Sequence, residues 1–549
     1  MSMPKSRDCT IQDVIKSIDD GDYRIPSFQR DFVWDTNRAS ALIDSIFKGF
    51  PIGSIILWKT KTDLPEIKEL GDLEIPGKDT GKYTSYVIDG QQRITSLYYA
   101  IKGLQLITAK SKVLDYSTIC IDLLAERREQ IVYSKMPDDR DSTDFVLLKD
   151  LLNPHSLLGE HSEKRVSYYN IILQYAISII EIDDDTASLE DVVEIFERLN
   201  LGGKKLSLFS IIAARSYVEP TKDTSGFDLN KKYKLFNASL KSNNYGEINE
   251  GVYLQTISTC LIDKANKAEI LRSLKKEEIV ANYEKIETAL RQAIEHLKGP
   301  KYGAKVANLL PYQSLLVPFA YFHYKIGKEK PTDAQEKYLI DFFWRCVIGK
   351  RYNSSSDTCL NADIAKINSI INGETPMQET VVLSPKYIFE NGRFILSSAF
   401  VKGMLCLMAQ KNPKSFVPGR TVNITNNSVA KATSKQLHHF FPTNSKVILN
   451  NKEYANNCGN VINIVFLDAI TNDQISNSNP SKYTGEFSKD YRSFPKALES
   501  HMISLNGFGL DEDDYYCFIN KRSSVMFGEL QKLITANPND SISNVVPFN

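Results

Sequence analysis

The spacing of apolar positions along the chain changes character twice. Over residues 10–216 short apolar runs of strand length alternate with helical repeats. Helical spacing covers 11–18 and 38–48, strand-like runs fall at 54–58 and 85–88, and a further helix is predicted over 94–101. That alternation predicts a compact α/β or α+β domain. From 217 to 392 the spacing is helical, with runs at 252–261, 279–297, 312–326 and 334–348, so a helical middle is expected. From 393 onward an amphipathic helix over 395–409 leads through the basic, Pro/Gly-marked stretch 411–420 into an Asn-rich, mixed section. The expected fold class is multidomain α+β, with domains at 1–216, 217–392 and 393–549. No internal repeat or long low-complexity tract interrupts it.

Composition narrows this without redirecting it. At 549 residues the chain is too long for a single core. Lys+Arg and Asp+Glu are both 67, which excludes binding nucleic acid by bulk charge and leaves that task to local patches. The first residues lack an apolar leader core and no later run reaches membrane-span length, so a cytoplasmic chain without a membrane partner is expected. Eight cysteines are scattered without a Cys-x-x-Cys pair, which argues against a zinc ribbon or a disulfide framework and for free, mostly buried thiols.

The densest polar chemistry lies where the run 85–88 meets the next helix, in Asp89-Gly90-Gln91-Gln92-Arg93-Ile94-Thr95. Backbone N–H groups at a helix start are unpaired and attract anions. Gly90 lets the backbone approach a ligand, Gln91 and Gln92 can donate to phosphate or base edges, and Arg93 can grip a phosphate with two parallel bonds. Asp89 could hold a hydrated divalent cation. The plain alternative is an Asp-Gly turn before a glutamine-capped helix.

Two further pieces belong with it. In residues 23–34 aromatic anchors alternate with Gln29 and Arg30, so a core-facing row could aim both polar side chains at a common cleft; taken alone, it reads as an edge strand. Residues 195–206 read as a helix ending in a glycine cap, with Arg198 and Asn200 beside two lysines forming a phosphate-facing corner. In the helical middle, His296 and His323 each sit alone in a helical run and read as packed or surface histidines, and Glu277 and Glu278 as a solvated face.

The last section carries a second constellation, Leu437-His438-His439-Phe440-Phe441-Pro442, followed by an apolar strand opening with Asn463 and then Asn472. At a strand end one imidazole can ligate a metal while its neighbour acts as a base. A divalent ion on one or two protein groups can neutralise a scissile phosphate, a neutral histidine can take a proton from water, and an asparagine carbonyl can hold the imidazole in the needed tautomer. The inventory is that of a one-metal nuclease; a His-His pair in a surface loop is the alternative.

Together these segments resemble the GmrSD-type restriction endonucleases and the related phage-defence protein SspE, in which a ParB-like DGQQR domain is followed by helices and an HNH nuclease domain of ββα-metal type. The likeness covers both ends of the chain; the middle contributes only its helical character. It implies a nucleotide-responsive, metal-dependent DNA endonuclease acting on foreign or modified double-stranded DNA, with Mg²⁺, Mn²⁺ or another divalent ion and a nucleoside triphosphate as effector or substrate. By carry-over, Asp89, Gly90, Gln91, Gln92, Arg93 and Thr95, with Gln29, Arg30, Arg198 and Asn200, form the nucleotide site. His439 matches the general base, Asn463 the central asparagine and Asn472 the final metal-side residue, while His438 stands where relatives often carry an acidic ligand. Asn460 offers a Gly-Asn pair but too early; Asn463 puts Leu467 and Asn472 in register.

No G-x-x-x-x-G-K-[ST] loop occurs, so nucleotide binding or slow hydrolysis that gates cleavage is expected rather than motor activity. Two other readings stand beside the gated nuclease: a non-catalytic nucleotide- or DNA-sensing regulator with a decayed nuclease domain, and a nucleotide hydrolase within a defence complex. Self-association into a homo-oligomer is left open.

Overall fold

The computed structural model describes residues 4–26, 32, 34–61, 69–70, 73–74, 83–107, 113–158, 160–183, 191–192, 195, 207–218, 220, 226–354, 356–417, 419–429 and 436–548. The chain divides into two compact units, Met1–Leu229 and Asn230–Asn549. Both mix helix and strand, as the expected α+β class requires.

The first unit is built on a five-stranded mixed sheet. Its strands are β1 (Lys5–Thr10), β2 (Tyr23–Arg24), β3 (Ile55–Thr60), β4 (Thr84–Asp89) and β5 (Ala176–Asp183), in the order β1-β5-β3-β4-β2. β5 runs parallel to β3 and antiparallel to β1, and β3 and β4 are antiparallel. The β3/β4 register slips between Ile56 and Leu57, so Ile88 is an extra residue and β4 bulges as it approaches Asp89.

Among the described residues, three of the unit's helices bear most on the site. In α1 (Ile11–Asp19) Thr10 and Asp13 form a reciprocal capping box, and Ile11, Val14, Ile15 and Ile18 point inward at helical spacing. In α2 (Thr36–Phe47) Asp35 caps the start and Ile43 and Ile46 are fully buried. The third, α3 (Gln91–Lys102), starts three residues earlier than the apolar spacing predicts. Gln91, Gln92 and Arg93 are therefore its first turn rather than a loop before it, because Gly90 supplies the positive φ (93°) that lets the chain turn directly from strand to helix.

The second unit is mainly helical in its first part: α4 (Glu250–Ile262), α5 (Lys276–Leu297), α6 (Leu316–Ile326), α7 (Asp333–Ile348) and α8 (Ser356–Ile371), close to the predicted runs. α6 is apolar all round and is packed by α4, α5 and α8, so it forms the centre of this bundle. Next comes α9 (Ala399–Gln410), which begins at the Ser398 cap rather than at 395. The chain then forms the antiparallel pair β6 (Leu437–His439) and β7 (Ile464–Phe466), followed by α10 (Ala469–Ile475) and α11 (Tyr515–Gln531).

By packing, the helical middle and the final section belong together. Residues 541–542 pair in parallel with Val382–Leu383, and the Arg345 guanidinium of α7 is bonded to both oxygens of Asp540. The three-part division is one of composition. Among the described residues no helix is long and apolar enough to cross a membrane, and all eight cysteines are free, six of them buried.

Candidate functional site

In the first unit the polar junction is closely knit. Gly90 begins α3 without a side-chain cap on the first-turn N–H groups. A Cβ on Gly90 would sit 3.1 Å from Ile55 Cγ1, and one on Gly53 would collide with the Arg93 guanidinium. Two glycines thus make room for one arginine; Gly53, with φ 84°, carries no signal in the sequence that would have singled it out.

Arg93 Nη1 donates to Ile52 O at 3.0 Å, and Nη2 donates to Ser54 O and Asp89 Oδ2, both at 2.9 Å. These acceptors engage three of the five guanidinium N–H groups, including both on Nη2. The two-bond phosphate grip expected of Arg93 therefore needs an exchange of partners. The place expected for a cation beside Asp89 is taken by Arg93 itself, whose ion pair joins the end of β4 to the start of α3 while its bonds to Ile52 O and Ser54 O tie in the entrance of β3.

Gln91 and Gln92 are nearly buried, at 5% and 6% exposure, with their carboxamides 3.5 Å apart. Thr95 Oγ1 is buried with no hydrogen-bond partner among the described residues, as is Trp58 Nε1 on β3. Leaving such a group unsatisfied costs about 1–3 kcal/mol. Gln29, Arg30, Arg198 and Asn200 lie outside the described residues.

In the second unit β6 and β7 pair with His438 opposite Val465 and His439 opposite Ile464. Two residues after β7 the chain enters α10, capped by Asp468, so Asn472 lies on the helix directly following the strand that pairs with the histidines. This is a strand–strand–helix arrangement. The strand end is anchored by apolar contacts: Phe440 stacks on Phe518 at 4.9 Å and Phe441 meets Tyr515 at 5.3 Å. His439 packs edge-on against Phe394 at 6.2 Å. Burial, with His438 adding repulsion, pushes its pKa down to about 4, so the imidazole is neutral at pH 7.

Asn463 has a different role from the one expected. It is fully buried in a 3₁₀ turn ahead of β7, where Oδ1 accepts from Phe441 N at 2.9 Å and Nδ2 donates to Phe441 O and Cys458 O, each at 3.0 Å. These bonds turn the carboxamide to the backbone, so it braces the strand end beyond the histidines instead of holding an imidazole tautomer. Asn460 is also structural, donating to Phe389 O and accepting from Ile462 N.

Arg522, fully buried, supports the same turn by donating to Ile462 O and twice to His501 O. With neutral acceptors around it, burial lowers its pKa to about 9. Its distance in sequence hid it from a motif-based reading.

His296 and His323 are packed, as expected, but not alone. His296 Nδ1 and His323 Nε2 are 3.0 Å apart, His296 Nε2 is 2.8 Å from Glu336 Oε2, and Tyr302 donates to Glu336 Oε1 at 3.2 Å. Burial and the neighbouring His296 push His323 down to about 4. Burial raises Glu336, but hydrogen bonds from His296 and Tyr302 outweigh it and hold the carboxyl below its usual range. The helical repeat located each histidine, but not the fact that α5, α6 and α7 bring them to one point. Among the described residues no group of three or more His, Cys, Asp or Glu side chains is set to hold a metal ion.

The first unit is thus marked by a sheet that runs through a bulge into a glycine-started helix, with an arginine closing the turn. Residues 11–217 match the family described as GmrSD restriction endonuclease, N-terminal domain. Over nearly its whole length the chain is also similar to the uncharacterized protein MJ0686 of Methanocaldococcus jannaschii, 24% identical over 95% of this chain and 94% of that one.

Proposed function

We propose that the chain is a restriction-type DNA endonuclease in which the first unit binds a nucleoside triphosphate and the second cleaves DNA. The observation that carries the reading is the pairing of a GmrSD-type N-terminal domain with a downstream strand–strand–helix unit whose strand presents His438 and His439.

In this reading the uncapped first turn of α3 receives the nucleotide phosphates, with Gln91, Gln92 and the unsatisfied Thr95 hydroxyl as further polar contacts. Arg93 moves from its carbonyl partners to phosphate when nucleotide binds, which couples occupancy to the β3–α3 junction. Gln29, Arg30, Arg198 and Asn200 complete the site.

In the second unit His439 is the base. Its desolvated neutral imidazole accepts a proton from the attacking water, and an incoming phosphate anion raises its basicity. His438 and Asn472 would hold a divalent ion, which supplies charge neutralisation at the phosphate when bound. One imidazole nitrogen and one amide oxygen are neutral donors, a set that suits Mn²⁺ better than the oxygen-preferring Mg²⁺. Asn463 and Arg522 act as positioning residues.

The absence of a three-ligand cluster among the described residues favours one second reading, a DNA- or nucleotide-sensing regulator without cleavage. The two are separated by incubating modified and unmodified plasmid with Mg²⁺ or Mn²⁺, with and without each nucleoside triphosphate, beside the His439→Ala protein. Cutting that needs His439 and responds to nucleotide is the expected result. Binding of plasmid without any cutting would establish the regulator instead.

A further inference from the structure

We propose that a cleft in the second unit, lined by the residue that follows the His439-packing Phe394, holds a single unpaired nucleotide of the DNA strand, its phosphate on Lys350 and its base or sugar against Tyr312 and Ile395. The proposal rests on the nuclease reading of His439 and adds to it a site for reading substrate. The cleft has a volume of about 380 Å³, in the range of small-molecule sites. Lys350 is the one charged side chain lining it, and no carboxylate does so among the described residues. An anionic ligand with an apolar body matches that lining, in a chain whose overall charge is zero.

Lys350 is held in a way that points to use. It follows the end of α7 in the left-handed region, φ 51° and ψ 42°, where glycine or asparagine fits with less strain. Its Nζ donates to Asn391 Oδ1 at 2.5 Å, and Asn391 Nδ2 in turn donates to Tyr387 O at 2.8 Å, which fixes the amine. Tyr312 is oriented by its hydroxyl, which donates to Asn353 Oδ1 at 2.6 Å on the cleft wall.

The cleft adjoins the proposed chemistry through consecutive residues. Ile395 lines it, and Phe394, the residue before, packs on the His439 ring and donates its N–H to Gly459 O at 2.9 Å. A nucleotide seated on Ile395 therefore lies one residue along the chain from the side chain that contacts the base.

The test uses the full chain carrying His439→Ala, so that binding is read in a protein not required to cut. Its affinity is measured for a fluorescein-labelled duplex with one unpaired central nucleotide and for the same duplex fully paired. Lys350→Gly, which suits the left-handed backbone, and Ser397→Trp, which places a ring in the cleft from an exposed position, are added singly. Each is expected to weaken the unpaired-nucleotide duplex about tenfold while leaving the paired duplex within about twofold. Lys350→Gly is further expected to lower the salt dependence by about one phosphate contact, with an unfolding midpoint no lower than that of the parent. Equal affinity of all three proteins for the unpaired-nucleotide duplex, or an equal loss on both duplexes, would overturn the nucleotide pocket. The nuclease reading is judged separately by wild-type cutting, so either can fail without the other.

Discussion

The turn at Asp89–Arg93 and the strand end at His438–His439 are both dense in polar side chains, yet they use them differently. In the first unit the candidate ligand-binding arginine is itself the brace, joining Ile52, Ser54 and Asp89. In the second, bracing is delegated to Asn463 and Arg522, and the histidine is left desolvated and neutral. A site that braces itself must rearrange to bind, whereas a site braced from behind is prepared in advance. Under the proposed function, the first arrangement suits a sensor and the second suits catalysis.

The sharpest break is His439→Ala. Removing a general base is expected to lower cleavage about 10²–10⁴-fold, with nucleotide binding by calorimetry and the urea midpoint unchanged. Asn463→Asp should invert that pattern. A carboxylate cannot donate to Phe441 O and Cys458 O, so a stability loss of about 2–4 kcal/mol is expected by urea unfolding. A cleavage defect with full stability would instead make Asn463 a direct participant.

Arg93→Ala should affect both properties of the first unit at once, abolishing nucleotide binding and costing about 1–3 kcal/mol through the carbonyls and carboxylate it leaves. Retained nucleotide affinity would reduce Arg93 to a brace alone.

Acid should act on the second unit through His323, His439 and His501, whose pKa values burial lowers to about 4, about 4 and about 3. The unfolded chain, with histidine near 6.5, takes up protons that the native state refuses. Their contribution is therefore complete above about pH 6.5 and declines as pH falls toward 4, by up to about 1.4 kcal/mol per pH unit for each histidine. Urea midpoints at pH 7.5 and pH 5 check the sign. The smallest effect is expected from Gly90→Ala, which places a Cβ against Ile55 at φ 93° and should cost about 1–2 kcal/mol, seen as a lower unfolding midpoint.

What was legible in the residues was what is local. The strand, the Asp-Gly turn and the helix behind it are contiguous, and the helices of the second unit follow from the 3.6-residue repeat of their apolar positions. Gly90 even marks the point where the helix begins, although apolar spacing alone placed that start three residues late. What was hidden depends on partners far along the chain. The engagement of Arg93 with Ile52 and Ser54, of Asn463 with backbone, and the meeting of His296, His323 and Glu336 all arise when separate elements close. Residue type shows which groups can bind a ligand; only packing shows which are already engaged.

The pairing of Val382–Leu383 with residues 541–542, fastened by Asp540 on Arg345, also sets an order of events during synthesis. Among the described residues the strands of the first unit pair only with one another, so it can close while the ribosome is still translating the second. The second cannot lock its bundle until residues 540–542 have emerged. A newly made chain can therefore complete its first unit before the bundle of its second is fastened.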